Sequence, residues 1–159
     1  MKLLAFFLSF FVLATQDLSS VRQNYINAAT SEQGAEELYK SLEGVSDSGD
    51  NTMVGYKAAS LTLKAKYEKG LLNKKSLFTQ GAKLLESVIK RDADNYEVRL
   101  LRMSIQENAP KITGYNKDIE EDKKFLIKHY DSQKQDLKEF TKGFVTRSAL
   151  FTKEEKAVF

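Results

Sequence analysis

The sequence predicts an all-α fold of stacked antiparallel helical hairpins behind an N-terminal export signal, and three observations predict it. Apolar residues recur at helical spacing along most of the chain, which holds one proline in 159 residues. The apolar fraction of 42% and charged fraction of 30% suit a packed helical chain and not a disordered one. The third observation is the stretch 95–106, NYEVRLLRMSIQ. At 100° per residue, Val98, Leu101 and Ile105 fall on one side, Tyr96, Leu100 and Met103 nearly opposite, and Arg99, Arg102 and Gln106 on a third side. A surface helix buries one stripe, so two opposed stripes predict a helix held between neighbours.

Length and charge narrow the function classes. A chain of 159 residues builds a single core. Its 25 basic and 22 acidic residues leave a net charge of +3, with no basic block or arginine-rich arm of the kind that binds nucleic acid. The absence of cysteine excludes disulfides, thiolate metal sites and cysteine nucleophiles. The chain opens MKLLAFFLSFFVLATQ, one lysine followed by a nearly unbroken apolar run from Leu3 to Ala14. Such a run is too short to span a bilayer but has the length of a signal-peptide core. Cleavage after Ala14 is expected, leaving 15–159 as one exported domain, periplasmic or secreted, with no stable membrane span. An uncleaved, membrane-anchoring N-terminus is the alternative.

Elements follow in order. Asp17 to Ala29 predicts a first helix with Val21, Tyr25 and Ala28 inward. Thr30, with Gln33 three residues on, predicts a capping box before Ala35, Leu38 and Leu42, and Gly44 ends that helix. Val45 to Thr52 reads as a solvent loop. A calcium loop starting at Asp47 would need glutamate where Ala58 stands. Met53 to Glu68 carries the stripe Val54, Ala58, Leu61 and Ala65, broadened by Ala59, Leu63 and Tyr67. Gly70 and Asn73 predict a break, and Leu71 and Leu72 are expected to fold back on the core, because exposing each costs about 1.5 to 3 kcal/mol. Leu77 to Arg91 predicts a helix with Phe78, Ala82, Leu85 and Val88 or Ile89 inward, and Asp92 to Asn95 a turn and N-cap.

Pro110 ends the central helix near Glu107 and Asn108. After the loop KITGYN, Asp118 to Tyr130 predicts a helix with Ile119, Leu126 and Tyr130 on one stripe and an acidic first turn that complements the helix dipole. Leu137, Phe140 and Phe144 predict a short helix interrupted or ended around Gly143. Thr152 with Glu155 predicts a final capping box, followed by a terminus that packs weakly or frays.

From Tyr56 to Asn95, small residues on a first helix followed by LLESVIKRDADN resemble a degenerate tetratricopeptide hairpin, which implies helix stacking. The linker GLLNKKSLFTQG reads as longer than the tight turn of that repeat, Ala93 stands where its proline is usual, and no 34-residue period runs along the chain. The segment YEVRLLRMSIQENAPKITGYNKDIEEDKKFL is similar to small exported helical proteins of Bacteroidota with no assigned function, at Arg99, Arg102, Gln106, Asn108, Pro110, Gly114, Tyr115, Ile119, Glu120, Glu121 and Asp122. That resemblance implies a helical exported protein and carries no chemistry.

Catalytic constellations are sparse. His129 is the sole histidine, near a helix end, and cannot build a histidine-rich metal site. No nucleophile elbow, zinc-protease or phosphate-loop motif occurs. The pairs Glu36/Glu37, Glu120/Glu121 and Glu154/Glu155 point about 100° apart on a helix and do not converge. The candidate binding residues are Arg99, Arg102, Gln106, Asn108 and Tyr115. Their guanidinium and amide groups suit a carboxylate, phosphate or acidic peptide, with Tyr115 as an apolar wall. The favoured structural reading pairs the arginines with Glu120, Glu121 or Asp122 and uses Asn108 to hold the Pro110 loop. The expected function is a non-catalytic exported adaptor whose hairpins present a groove to a protein or peptide of the cell envelope, with no cofactor, metal or nucleic acid. A small-ligand-binding protein or enzyme using the arginine, glutamine and tyrosine cluster is the competing expectation. An open groove favours the first and a deep closed pocket at the cluster the second.

Overall fold

The apolar stripes between Leu18 and Arg91 assemble into two helical hairpins. The computed structural model describes residues 17–159, which are helical with no strand among them; the export signal expected at 1–14 lies outside the described residues. Helices α1 (Leu18–Thr30) and α2 (Glu32–Leu42) form the first hairpin, and α3 (Asn51–Tyr67) and α4 (Leu71–Arg91) the second. The cap between α1 and α2 is Ser31, not Thr30. Ser31 is extended at φ −141°, ψ 129° and its hydroxyl accepts from the Gly34 amide, whereas Thr30 is still helical and donates to the Asn27 carbonyl. The cap forms at the residue that leaves helical geometry.

The second hairpin closes more tightly than expected. Three residues, 68–70, connect α3 to α4, and α4 starts six residues before the expected Leu77. Leu71 and Leu72 are 79% and 83% exposed and do not fold back. An unbroken helix keeps the backbone hydrogen bonds of its first turn, such as Lys74 N–H to Gly70 O at 2.8 Å, which a chain folded back would forgo. Further along α4, Gly81 lets the helices meet: a Cβ there would stand 2.6 Å from the Ala58 carbonyl oxygen and 2.7 Å from Thr62 Cγ2.

Asn95 caps α5 (Tyr96–Asn108) by accepting from the Val98 amide, as its sequence position predicts. Ten of the thirteen residues of α5 are buried, so it has neighbours on every side. Val98, Leu101 and Ile105 join the core of α1 to α4, with Val21, Leu38, Val54 and Leu85. Tyr96, Leu100 and Met103 join a second core with Leu126, Tyr130, Leu137, Val145, Phe151 and Phe159. The two stripes thus feed two different clusters, and α5 is the wall between them.

A 3₁₀ turn, Lys111–Thr113, follows α5 and ends at Gly114, whose φ of 62° favours glycine. The second core is built on α6 (Ile119–His129), α7 (Gln135–Arg147) and α8 (Lys153–Lys156). Helix α7 runs through Gly143 without the expected interruption. An interior glycine costs only about 1 kcal/mol, and Leu137, Thr141 and Val145 bury one face across it. The Thr152–Glu155 capping box forms, but the terminus does not fray. Phe159 packs its ring 4.7 Å from Tyr130 and 5.5 Å from Phe151, and its carbonyl accepts from the Tyr130 hydroxyl at 2.9 Å. No described helix is long and apolar enough to cross a membrane.

Candidate functional site

Between its two apolar stripes α5 carries two polar sides, and each is bound by a different set of helices. On the first, Asp122 from the opening turn of α6 is fully buried. It accepts Arg102 Nε and NH2 at 2.7 Å each and Arg99 NH1 at 2.8 Å. Arg102 NH1 reaches Glu86 of α4 at 3.1 Å, so all three nitrogens of Arg102 donate to carboxylates. Arg99 also donates to Glu121 and to the Ala93 carbonyl, and its guanidinium lies 4.4 Å from the centre of the Phe125 ring. Tyr115 donates to the other oxygen of Glu86 at 2.6 Å. Gln106 donates to Asp118 at 3.0 Å, while its carbonyl oxygen has no hydrogen-bond partner among the described residues.

Four of the five candidate residues therefore meet in one network, through Glu86, Asp118 and Asp122. Asn108 stands apart. Its amide donates to the Ser104 carbonyl one turn back in α5, so it does not hold the Pro110 loop by a side-chain bond. Burial pushes the Asp122 carboxyl upward while Arg102 and Arg99 draw it down, and burial is the larger effect. Burial works against the charge of Arg102, yet the carboxylates of Asp122, Glu86 and Asp118 hold its guanidinium above the ordinary value. Burial, reinforced by Glu86, raises the Tyr115 hydroxyl.

The opposite polar side centres on Glu97. Both its oxygens accept from Arg22 of α1, at 2.7 Å each, and the Tyr56 hydroxyl of α3 donates to one of them. Arg22 NH1 continues to Asp136 of α7 at 2.7 Å. The hydrogen bond to Glu97 raises the Arg22 guanidinium despite its burial, and burial together with Glu97 raises Tyr56. This network is absent from the sequence reading. Its signal was the fourth side of the helical wheel, where Glu97 and Ser104 lie together, and the place of Arg22 beside Val21 on the inward stripe of α1.

A groove of about 340 Å³ opens between α1, α5 and α7. Tyr25, Ile26, Phe140 and Phe144 supply apolar walls, with Asn108 and Arg147 among its polar lining. Arg147 forms no ion pair with a described residue. Asn108 thus belongs to this groove and not to the arginine network.

No family model, curated protein or solved structure matches this chain. Among the described residues no group of three His, Asp or Glu side chains is placed to hold a metal ion. His129 lies against the Phe125 ring, 4.4 Å between centres, in the last turn of α6.

Proposed function

We propose that this chain is a non-catalytic, exported helical interaction protein that presents the groove between α1, α5 and α7 to a protein or peptide segment of the cell envelope. The observation that carries the reading is the pairing, in that groove, of aromatic and aliphatic walls with the cation of Arg147, which forms no ion pair with a described residue. An apolar side chain entering between Ile26 and Phe144 would be removed from water, and a neighbouring carboxylate would meet the guanidinium. The arginines of α5 support the reading by contrast, since their donors are committed to Asp122, Glu86 and Glu121. The apolar run from Leu3 to Ala14 supports export.

A photoreactive phenylalanine at Ile26, on the groove, tests this in intact cell envelopes against the same group at Lys83 on α4. We expect a discrete cross-linked protein or peptide from position 26 that is lost with Arg147→Glu. No adduct at 26, or the same adducts from both positions, would overturn the reading.

A further inference from the structure

The topology gathers three connections at one end of the stack. Lys66 Nζ and the Tyr67 hydroxyl, at the end of α3, both reach the Ala29 carbonyl at the end of α1. The 3–4 connection therefore lies beside the 1–2 connection. Helix α5 returns antiparallel to α4, so the 3₁₀ turn after α5 comes back to the same end, and Phe78 of α4 packs its ring 5.9 Å from Tyr115. This end carries the three most exposed large apolar side chains among the described residues: Leu71 at 79%, Leu72 at 83% and Ile112 at 97%. The groove between α1, α5 and α7 does not include them.

Charge sets them in context. The segment 66–75 holds four lysines and one glutamate, and 111–117 holds two lysines and no acid. These two short segments have a larger positive excess than the whole chain, whose net charge is +3. Lys66, Lys69, Lys74, Lys75, Lys111 and Lys117 are all exposed, and none forms an ion pair with a described residue. The local acids are occupied or few. Glu68 accepts the amides of Lys69 and Gly70, Asp118 faces Gln106, and Glu32 stands at the start of α2.

We propose that this end is a docking surface for an anionic lipid bilayer, with Leu71, Leu72 and Ile112 entering the interface and the surrounding lysines meeting lipid phosphates. Apolar side chains that project from the first turn of α4 and from the 3₁₀ turn after α5 suit a fluid interface that needs no matching relief. Lysines suit it too, because their stems lie along the apolar layer while the ammonium groups stay at the headgroups. An acidic protein would satisfy the lysines but would have to supply a shaped apolar recess for three separate protrusions. Leu71, Leu72 and Ile112 line no part of the groove between α1, α5 and α7, although that groove reaches the same end of the stack at Ala29, Thr30 and Asn108.

The absence of cysteine permits a clean test, because Leu72→Cys or Ile112→Cys takes a single environment-sensitive fluorophore on the full chain. Such a label reports its own position whatever another segment of the chain does at a membrane. Ser48→Cys, on the connection between α2 and α3 at the opposite end, is the control. With phosphatidylglycerol vesicles, labels at 72 and 112 should shift to the blue and brighten while the label at 48 stays unchanged. Phosphatidylcholine vesicles should leave all three unchanged. The triple variant Lys69→Gln, Lys74→Gln, Lys75→Gln should weaken vesicle binding on the order of a hundred-fold with an unaltered melting temperature. A silent label at 72 with the anionic vesicles would overturn the proposal, as would an equal response to phosphatidylcholine. So would a change that follows protein concentration without vesicles, which would mean a second copy, or one produced only by polyglutamate, which would mean an acidic protein.

Discussion

Asp122 stands alone between two guanidinium groups, its side chain fully excluded from water. Replacing it with asparagine keeps the shape and removes the charge. Arg102, its side chain 5% exposed, then faces an amide that cannot balance a cation, with the partly exposed Glu86 and the more distant Asp118 as its remaining carboxylates. Breaking a buried pair by neutralising one partner costs about 3 to 5 kcal/mol, and Asp122→Asn should lose that much stability in urea unfolding. Glu121→Gln is the comparison. Its carboxylate is 66% exposed, and loss of an exposed pair costs about 0 to 1 kcal/mol. Equal losses in the two variants would contradict the central role of Asp122. The sequence offered three acids for these arginines and no ranking among them, yet the ranking was there to read. Asp122 lies three residues after Ile119 and four before Leu126, on the inward stripe itself, while Glu120 and Glu121 lie off it. An acid on an apolar stripe needs a buried cation, whereas Glu97 lies between the two stripes of α5, beside Ser104, and its burial follows from the packing of α1 and α3 against that side.

Two glycines in helices separate close packing from mere tolerance. At Gly81 an added Cβ meets backbone, 2.6 Å from the Ala58 oxygen, so α3 and α4 would have to part. Overpacking of this kind costs about 1 to 3 kcal/mol, and alanine returns about 1 kcal/mol of helix propensity. Gly81→Ala should therefore lower the melting temperature. At Gly143 the nearest atom to an added Cβ is the flexible Arg147 NH1 at 3.8 Å, so Gly143→Ala should raise it, by up to about 1 kcal/mol of stability. Opposite signs are the expected result, and a stabilising Gly81→Ala would contradict the tight hairpin. The same pair shows what periodicity could deliver. It located α5, its two stripes and the caps at Asn95 and Thr152, because those signals are local. It misjudged the start of α4, the run of α7 through Gly143 and the anchoring of Phe159, because each depends on what a distant segment covers or leaves open.

Helix α5 makes one folding unit of two cores, and tyrosine ionisation can read that coupling. Tyr25 and Tyr56 lie in the core of α1 to α4, Tyr96 in the core of α6 to α8, and Tyr115 on the Glu86 network. Burial raises all four hydroxyls, and at Tyr56 and Tyr115 the neighbouring carboxylates of Glu97 and Glu86 add to it. A group whose folded pKa exceeds its unfolded value, about 10 for tyrosine, contributes stability that is complete below that value and is lost as pH rises through the folded one. The melting temperature should accordingly fall as pH climbs above about 10. These four tyrosines should ionise with unfolding and not ahead of it. If α5 joins the cores as its two stripes and two charged sides imply, helical circular dichroism and their tyrosinate absorbance will change in one coincident step. Two separated steps, with Tyr96 ionising apart from Tyr25 and Tyr56, would show that the cores unfold independently and that the ion pairs of Asp122 and Glu97 do not bind them into one unit.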